Sequence, residues 1–358
     1  MRVSFIIPTR NRKEELSETV TRLGELDLSQ IGHAAELIVA DNASDERVQL
    51  PDSLENGLQV RVLHLQENRN TGARNDAARD ARGDWLVMLD DDSAPLAQTD
   101  WSVLEQFPAT VAAVGGEIML PSGKRESGGL PEVVVGCGCA IRRSVFLEAG
   151  GYDAGFGYYA EEYDLCARLI GKGYAIAHSR SLKFLHRKSH TGRDFNEILY
   201  RLVRNNAWVM QRYAPELTRE VELAALYERY REIAGRESAM SGYQRAMSEV
   251  NATLDQQIRM PLSDVEWDRF TGRAAVRGSI RDGRPRLPGA IRLIGEPLAK
   301  GRGIIEEELL SAGFQIGEGG AGTAMIGVLS PGPMLDLHDQ HPEAALPWRF
   351  EVGVGMRT

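Results

Sequence analysis

Three cysteines in 358 residues, Cys137, Cys139 and Cys166, are too few and too clustered for a disulfide framework and point to a reducing compartment. Nor does any apolar stretch approach the ~20 residues that span a bilayer. The opening MRVSFIIPTRNR is a short apolar run broken by Pro8, so it is not expected to act as a signal peptide. The expected address is cytoplasmic, with membrane contact at most peripheral, at the inner face. A basic excess is missing too: 42 Lys and Arg stand against 51 Asp and Glu, a net charge of −9 and the wrong sign for a nucleic-acid partner. Internal repeats and long low-complexity segments are lacking. What remains, 42% hydrophobic and 26% charged residues, is the composition of a globular protein long enough for two domains or one large α/β domain with an appendage.

The first half repeats a short apolar run, turn residues and an amphipathic helical segment, which signals a parallel sheet. Strands are expected at Val3 to Ile7, Glu36 to Ala40, Val60 to Leu65 and Trp85 to Leu89, with helices at Arg12 to Leu26 and Thr71 to Ala81. Three of the four strands end in polar clusters, PTRNR, DNAS and DDDS. In open α/β sheets ligands bind beyond the carboxyl ends of strands, so these clusters are expected to line one crevice. From Val111 to His190 the chain mixes short strands, Gly-rich turns and two helices, near Ser144 to Ala149 and Glu162 to Lys172. Beyond Asp194 it turns helical. A turn-rich passage at Arg281 to Ala290 precedes a strand, helix and strand in IRLIGEP, GIIEEELLSAGF and AMIGVLS. The division expected is 1–212, a helical extension at 213–284 and a small α/β tail at 285–358. In the tail, Gly301-Arg302-Gly303 and the run near Gly317 to Gly322 read as turns.

The sharpest chemical signal is Asp90-Asp91-Asp92 after the buried strand WLVML. Adjacent carboxylates repel, and a hard divalent cation, Mg²⁺ or Mn²⁺, would neutralise them while leaving positions for substrate phosphates. An isolated DDD is a solvated turn; its position after a central strand favours the site. Asp41, ending strand two, can accept the ring N–H of a uracil, thymine or guanine, or cap the turn Asp-Asn-Ala-Ser. Pro8, Thr9, Arg10 and Asn11 offer amides, a hydroxyl and a guanidinium to a nucleotide. In ENRNTGARN, Gly72 would allow a tight turn into a helix whose Arg74-Asn75 could anchor the acidic cluster or a phosphate. Glu161, Glu162 and Asp164 open another helix after the Gly-Tyr-Tyr loop. The helix dipole alone explains acids there, yet the loop would place one carboxylate at the crevice mouth. Cys137 and Cys139 make a CxC without partner ligands and read as small buried residues.

As an ordered set, VSFIIPTRNR, LIVADNAS, NTGARN, GDWLVMLDDDSAP, GCGCAIRRSVFLEAGGYDAGFG and EEYDLCARL resemble the GT-A glycosyltransferases of family 2, inverting nucleotide-sugar-dependent enzymes, over Val3 to Asn206. The resemblance implies an α/β GT-A domain with Asp41 at the base, Asp90 and Asp92 as the DxD motif for metal and diphosphate, and Glu162 as catalytic base. The family more often shows Glu-Asp-x-Asp where this chain has Glu161-Glu162-Tyr163-Asp164, so Glu161 stands as the alternative base. His186, in KFLHRKSH, matches a third metal-ligand position of some GT-A enzymes. Arg204-Asn205 resembles a pair that often ends the domain. The expected site is then Glu162 and Glu161 for catalysis; Pro8, Thr9, Arg10, Asn11, Asp41, Asn70, Gly72, Arg74 and Asp91 for nucleotide; Asp90, Asp92 and His186 for Mn²⁺ or Mg²⁺.

The reaction expected is transfer from a UDP-, dTDP- or GDP-linked sugar to a glycan or lipid-linked acceptor, in bacterial polysaccharide or glycoconjugate synthesis. A sugar-phosphate nucleotidyltransferase would want a Gly-rich phosphate loop after strand one, and PTRNR has no glycine. A non-catalytic nucleotide-binding docking module is the other alternative, against which the intact DxD and acidic helix opening argue. Arg269, Arg273, Arg277 and Arg281 recur every fourth residue, which suits either an anionic membrane surface or a solvated face paired with acids elsewhere.

Overall fold

The structure, a computed structural model, describes residues 1–31, 35–188, 194–283, 290–317 and 323–349. Strands β1 (Val3–Thr9), β2 (Glu36–Asp41), β3 (Gln59–His64) and β4 (Trp85–Met88) pair in parallel, with helix α1 (Lys13–Gly24) between β1 and β2 and α2 (Gly72–Asp80) between β3 and β4. Phe5, Ile7, Leu37, Val39 and Val87 pack on one face with Leu16, Val20 and Leu23 of α1. Ile6, Ile38, Leu86 and Met88 pack on the other with Ala73, Ala77 and Ala78 of α2. Burial of both faces is why these strands read as continuous apolar runs rather than alternating ones.

The sheet continues through a short edge strand β5 (Ser93–Pro95), helix α3 (Val103–Gln106), β6 (Val111–Met119), β7 (Cys139–Arg142), α4 (Arg143–Glu148), α5 (Glu161–Gly171) and β8 (Ala175–His186). Its order is β3-β2-β1-β4-β7-β6-β8-β5, with β7 antiparallel to both β4 and β6. A parallel nucleotide-type half joined to a mixed half is the α/β arrangement the sequence led us to expect. Helices α6 (Phe195–Tyr213), α7 (Arg219–Arg236) and α8 (Met240–Thr253) then form a helical layer around Leu199, Val203, Tyr230, Ala234 and Ala246. Among the described residues no helix is long and apolar enough to cross a membrane.

Three of the four arginines of the stripe are paired with acids. The stripe is split between α9 (Asp264–Thr271) and α10 (Arg273–Arg281) by Gly272, whose φ of +87° ends the first helix. Arg269 grips Glu132 at 2.6 and 2.8 Å. Arg273 and Arg277 hold Glu308, at 3.1 and 2.6 Å. These three guanidiniums are thus engaged within the chain.

The C-terminal unit is the expected strand, helix and strand: β9 (Ala290–Ile294), α11 (Arg302–Ser311), a two-residue β10 (Gln315–Ile316), β11 (Thr323–Ile326) and α12 (Pro331–Gln340), in a parallel sheet ordered β10-β9-β11. Of the sequence-level expectations, most of the turn passage before β9 (284–289), most of the Gly-rich run (318–322) and His190 lie outside the described residues. The unit shares the main domain's apolar core through Leu329, Met334, Leu335 and Trp348, and adds ion pairs. Arg125 pairs with Asp336 at 2.8 Å and Asp339 at 2.7 Å, while its Nε donates to Glu117 at 2.6 Å.

His178 sits at this junction, 3% exposed, its Nε2 2.9 Å from the Leu130 carbonyl and its ring 5.5 Å from that of Trp348. Burial pushes its pKa from 6.5 down to about 4, so the folded protein keeps it neutral where an unfolded histidine would protonate. The unfolded chain therefore binds more protons between those values, and stability is expected to fall by up to about 3 kcal/mol as pH drops from 6.5 to 4. Urea unfolding at the two ends of that window, in wild type and His178→Gln, measures this contribution; equal losses in both proteins would contradict it.

Candidate active site

The acidic triplet follows β4 and each carboxylate meets a different environment. Asp90 is the accessible one, its side chain 40% exposed, and it is hydrogen-bonded to the Arg74 guanidinium from α2. Arg74 is buried, also donates to the Leu89 carbonyl at 3.1 Å, and lies 4.0 Å from Glu161. It anchors the acidic cluster, one of the two roles foreseen for it. Asp91 points into the chain: it accepts from Thr9 Oγ1 at 2.9 Å and from Arg12 Nε at 2.8 Å. Burial lifts its pKa to about 7 despite Arg12 and Thr9, with repulsion from Asp90 and Asp92 a smaller contribution. Asp92 accepts from Arg12 at 2.8 Å through one oxygen and faces His186 Nε2 at 3.2 Å through the other.

His186, ending β8, is thereby held between two acids, since its Nδ1 lies 2.7 Å from Glu126 Oε2. Burial alone would lower its pKa, but hydrogen bonding to Asp92, Cys137 and Glu126 raises it well above the usual histidine range. Glu126 is correspondingly held at about 2, because contacts with His186 and Lys188 overcome its burial. The ligand atoms of Asp90, Cys137 and His186 lie within 4.8 Å of one another. Burial pushes the Cys137 thiol up to about 11, which leaves it a neutral neighbour of His186 at 3.5 Å rather than a thiolate. Of the expected metal set, Asp90 and His186 fall in this group, while Asp92 meets His186 and has its other oxygen on Arg12; carboxylate oxygens and a neutral imidazole would suit a divalent cation, with Glu126 able to keep the proton on Nδ1.

Across the crevice, Glu161 and Glu162 open α5. Tyr159 and Ala160, just before them, take left-handed backbone angles, φ +71° and +64°. That strained approach is fixed from α6, where Asn205 Nδ2 donates to the carbonyls of Phe156, Tyr158 and Tyr159 at 3.0, 2.8 and 2.6 Å. Arg204 adds a bond to the Phe156 carbonyl at 3.0 Å. The Arg-Asn pair thus shapes the loop that presents the glutamates. Glu161 is buried, and its Oε2 has no partner among the described residues. Its pKa stands well above the carboxylate range, from burial first and the Glu162 charge second. Glu162 is half-buried and accepts from the Gly136 amide at 2.9 Å, a contact that leaves no space for a Cβ on Gly136. Burial raises it too, partly offset by backbone donors and by Arg74.

Other expected residues take different parts. Asp41 is buried and gives both oxygens to the chain, accepting from the amides of Ser44 and Val48 at 3.0 and 3.1 Å and meeting His64 Nδ1 at 3.0 Å. This is the capping geometry, with Oδ1 accepting one of these contacts and Oδ2 the other two. Pro8 lies within β1, and Thr9 serves Asp91. The Asn11 amide is not free but donates to Ser44 Oγ at 3.0 Å, and Arg10 is exposed with its Nε 3.4 Å from the Ala43 carbonyl. Gly72 does not make the tight turn: the left-handed residue is Asn70, φ +48°, while a Cβ on Gly72 would crowd Ala154 at 3.2 Å. Sequence reasoning missed Arg12 and Glu126 as builders of the site, and noted Arg204-Asn205 without a role; Arg12 stood in PTRNR, one residue beyond those singled out.

Comparison with known proteins points the same way. Residues 4–150 match the family model "Glycosyl transferase family 2". An uncharacterized glycosyltransferase of Haemophilus influenzae is 26% identical over 47% of this chain and 62% of its own length, so the chain spans about three-fifths of that relative. A glucosyl-dolichyl phosphate glucuronosyltransferase of Haloferax volcanii is 27% identical over 56% of this chain and 74% of its own. A mannosyltransferase of Pyrobaculum calidifontis, solved with GDP-Man and Mn²⁺, superposes at a TM-score of 0.48 with 16% identity, over 87% of this chain and 86% of that one.

Proposed function

We propose that this chain, whose residues 4–150 match the family 2 glycosyl transferase model, is a glycosyltransferase working by metal-assisted single displacement with inversion, in bacterial polysaccharide or glycoconjugate synthesis. One observation carries the reading: Asp90 beyond β4 and His186 ending β8 meet at Cys137, and Glu162 opening α5 accepts from the amide of the adjacent Gly136. The donor is a UDP-, dTDP- or GDP-linked sugar, its base lying toward Asp41 and the turn after β2. Asp90, Asp92 and His186 are the residues that would hold Mn²⁺ or Mg²⁺. Bound there, the cation would neutralise the diphosphate as it leaves. Arg12 and Arg74 fix the acids, so little reorganisation is needed when substrate arrives. Glu162 takes the proton from the acceptor hydroxyl that attacks the anomeric carbon opposite the leaving group, and no covalent intermediate is needed. Its accessibility assigns it this role over the buried Glu161.

Thermal unfolding with UDP, GDP and TDP, with and without Mn²⁺, tests the donor side. One nucleotide at 100 times its Kd is expected to add about 2.7 kcal/mol of stability when Mn²⁺ is present. Asp90→Asn should lose the Mn²⁺-dependent part. Stabilisation that is the same without the ion and in the variant would defeat the metal assignment.

A further inference from the structure

Beside the shared apolar core, the C-terminal unit meets the rest of the chain through several cation–carboxylate pairs, and one cation there is held differently. Lys300, between β9 and α11, lays its ammonium 4.7 Å from the centroid of the Tyr163 ring and hydrogen-bonds the Tyr163 hydroxyl. Beside it stands Arg229 of α7, whose Nε is buried without a partner and whose Nη2 is a long 3.5 Å from the Leu298 carbonyl. Among the described residues neither cation has a carboxylate within ion-pair distance, whereas Arg125, Arg273, Arg277 and Arg302 all do. Burial and repulsion from Arg229 push Lys300 down to about 7, and the Glu162 charge partly restores it. Two neighbouring cations without a counter-ion are unfavourable, a repulsion that an anion between them, or loss of the Lys300 proton, relieves. Lys300, Arg229 and Tyr163 are each partly buried as residues. Tyr163 directly follows Glu162 on α5.

We propose that Lys300 and Arg229, with the Tyr163 hydroxyl, form a subsite for a phosphate carried by the acceptor. An ammonium, a guanidinium and a phenol supply donors in the number and charge a tetrahedral oxyanion takes. The C-terminal unit thereby acquires a function: it brings the lysine that reads the acceptor. This rests on Glu162 being the base, which puts the acceptor on this side of the crevice.

The test is calorimetric titration of the full chain with inorganic phosphate, glucose 1-phosphate and farnesyl phosphate in micelles, for wild type, Lys300→Met, Lys300→Arg and Arg229→Gln. Lys300→Met keeps the stem over Tyr163 and removes one of two repelling cations, so folding is expected to hold, with the melting temperature as the check. Phosphate binding is expected to weaken at least about tenfold in Lys300→Met and Arg229→Gln and to survive in Lys300→Arg. UDP, GDP or TDP affinity with Mn²⁺ should be unchanged throughout. Tighter binding of farnesyl phosphate assigns the phosphate to a lipid-linked acceptor, tighter glucose 1-phosphate to a soluble sugar phosphate. Equal binding by wild type and both neutralised variants, or none by wild type up to about 10 mM, overturns the subsite. A wild type that binds the phosphate probes but no nucleotide would instead overturn the donor reading and leave the anion site standing.

Discussion

Glu162→Gln is expected to lower kcat by about 10²- to 10⁴-fold while nucleotide binding and melting temperature stay near wild type. Glutamine keeps the side chain's volume and still accepts the Gly136 amide hydrogen bond, 2.9 Å in the wild type, so the geometry of the crevice survives. What disappears is the basic oxygen that takes the acceptor proton. The pH profile gives a second reading. Burial raises the Glu162 pKa, so kcat/KM should climb with pH through a value above the ordinary carboxylate range as the base loses its proton. Glu161→Gln is the control: it is buried against Arg74 and should alter stability more than rate. Were Glu161→Gln the inactive protein and Glu162→Gln the active one, the base would belong one residue earlier.

The parallel strands were legible because both their faces are buried: Val3 to Ile7 and Trp85 to Leu89 leave no polar face to confuse the reading. The site's carboxylates were legible for a related reason. Three acids after an apolar run, or two opening a helix, have no packing role of their own there. What was not legible came from elements distant in sequence. Glu126 reaches His186 from 60 residues away, and Asn205 reaches the Tyr159 carbonyl from 46. A single glutamate in a loop carries no local signature; the Arg204-Asn205 pair was noticed by resemblance, but the loop it holds could not be read from the sequence. Asp41 shows the converse: LIVADNAS supported a base contact and a cap equally, and the three partners around its carboxylate could be counted only in space. The arginine stripe was a true pattern, but its partner Glu308 sits 31 residues beyond Arg277, and Gly272 broke the helix assumed for it.

Asp164 separates structure from chemistry on the same helix. Its side chain is fully buried and accepts from Tyr213 Oη at 2.7 Å, from Arg212 at 2.9 Å and from Arg168 at 2.8 and 3.0 Å. It joins α5 to α6, the helix whose Asn205 shapes the loop before the glutamates. Asp164→Asn keeps the shape but removes the negative charge facing two guanidiniums, leaving buried cations short of a counter-ion. Breaking a buried pair in this way costs about 3 to 5 kcal/mol. Part is offset because Arg212 keeps Asp153 at 2.7 Å and Arg168 keeps the Gly151 carbonyl at 2.7 Å. Urea unfolding should therefore show a loss of roughly 3 kcal/mol, with an unchanged m value, and kcat per folded molecule should fall far less than in Glu162→Gln. The helix that opens with the base is thus predicted to hold its orientation through Asp164. An Asp164→Asn protein that melts like wild type yet transfers no sugar would show instead that this carboxylate acts on substrate.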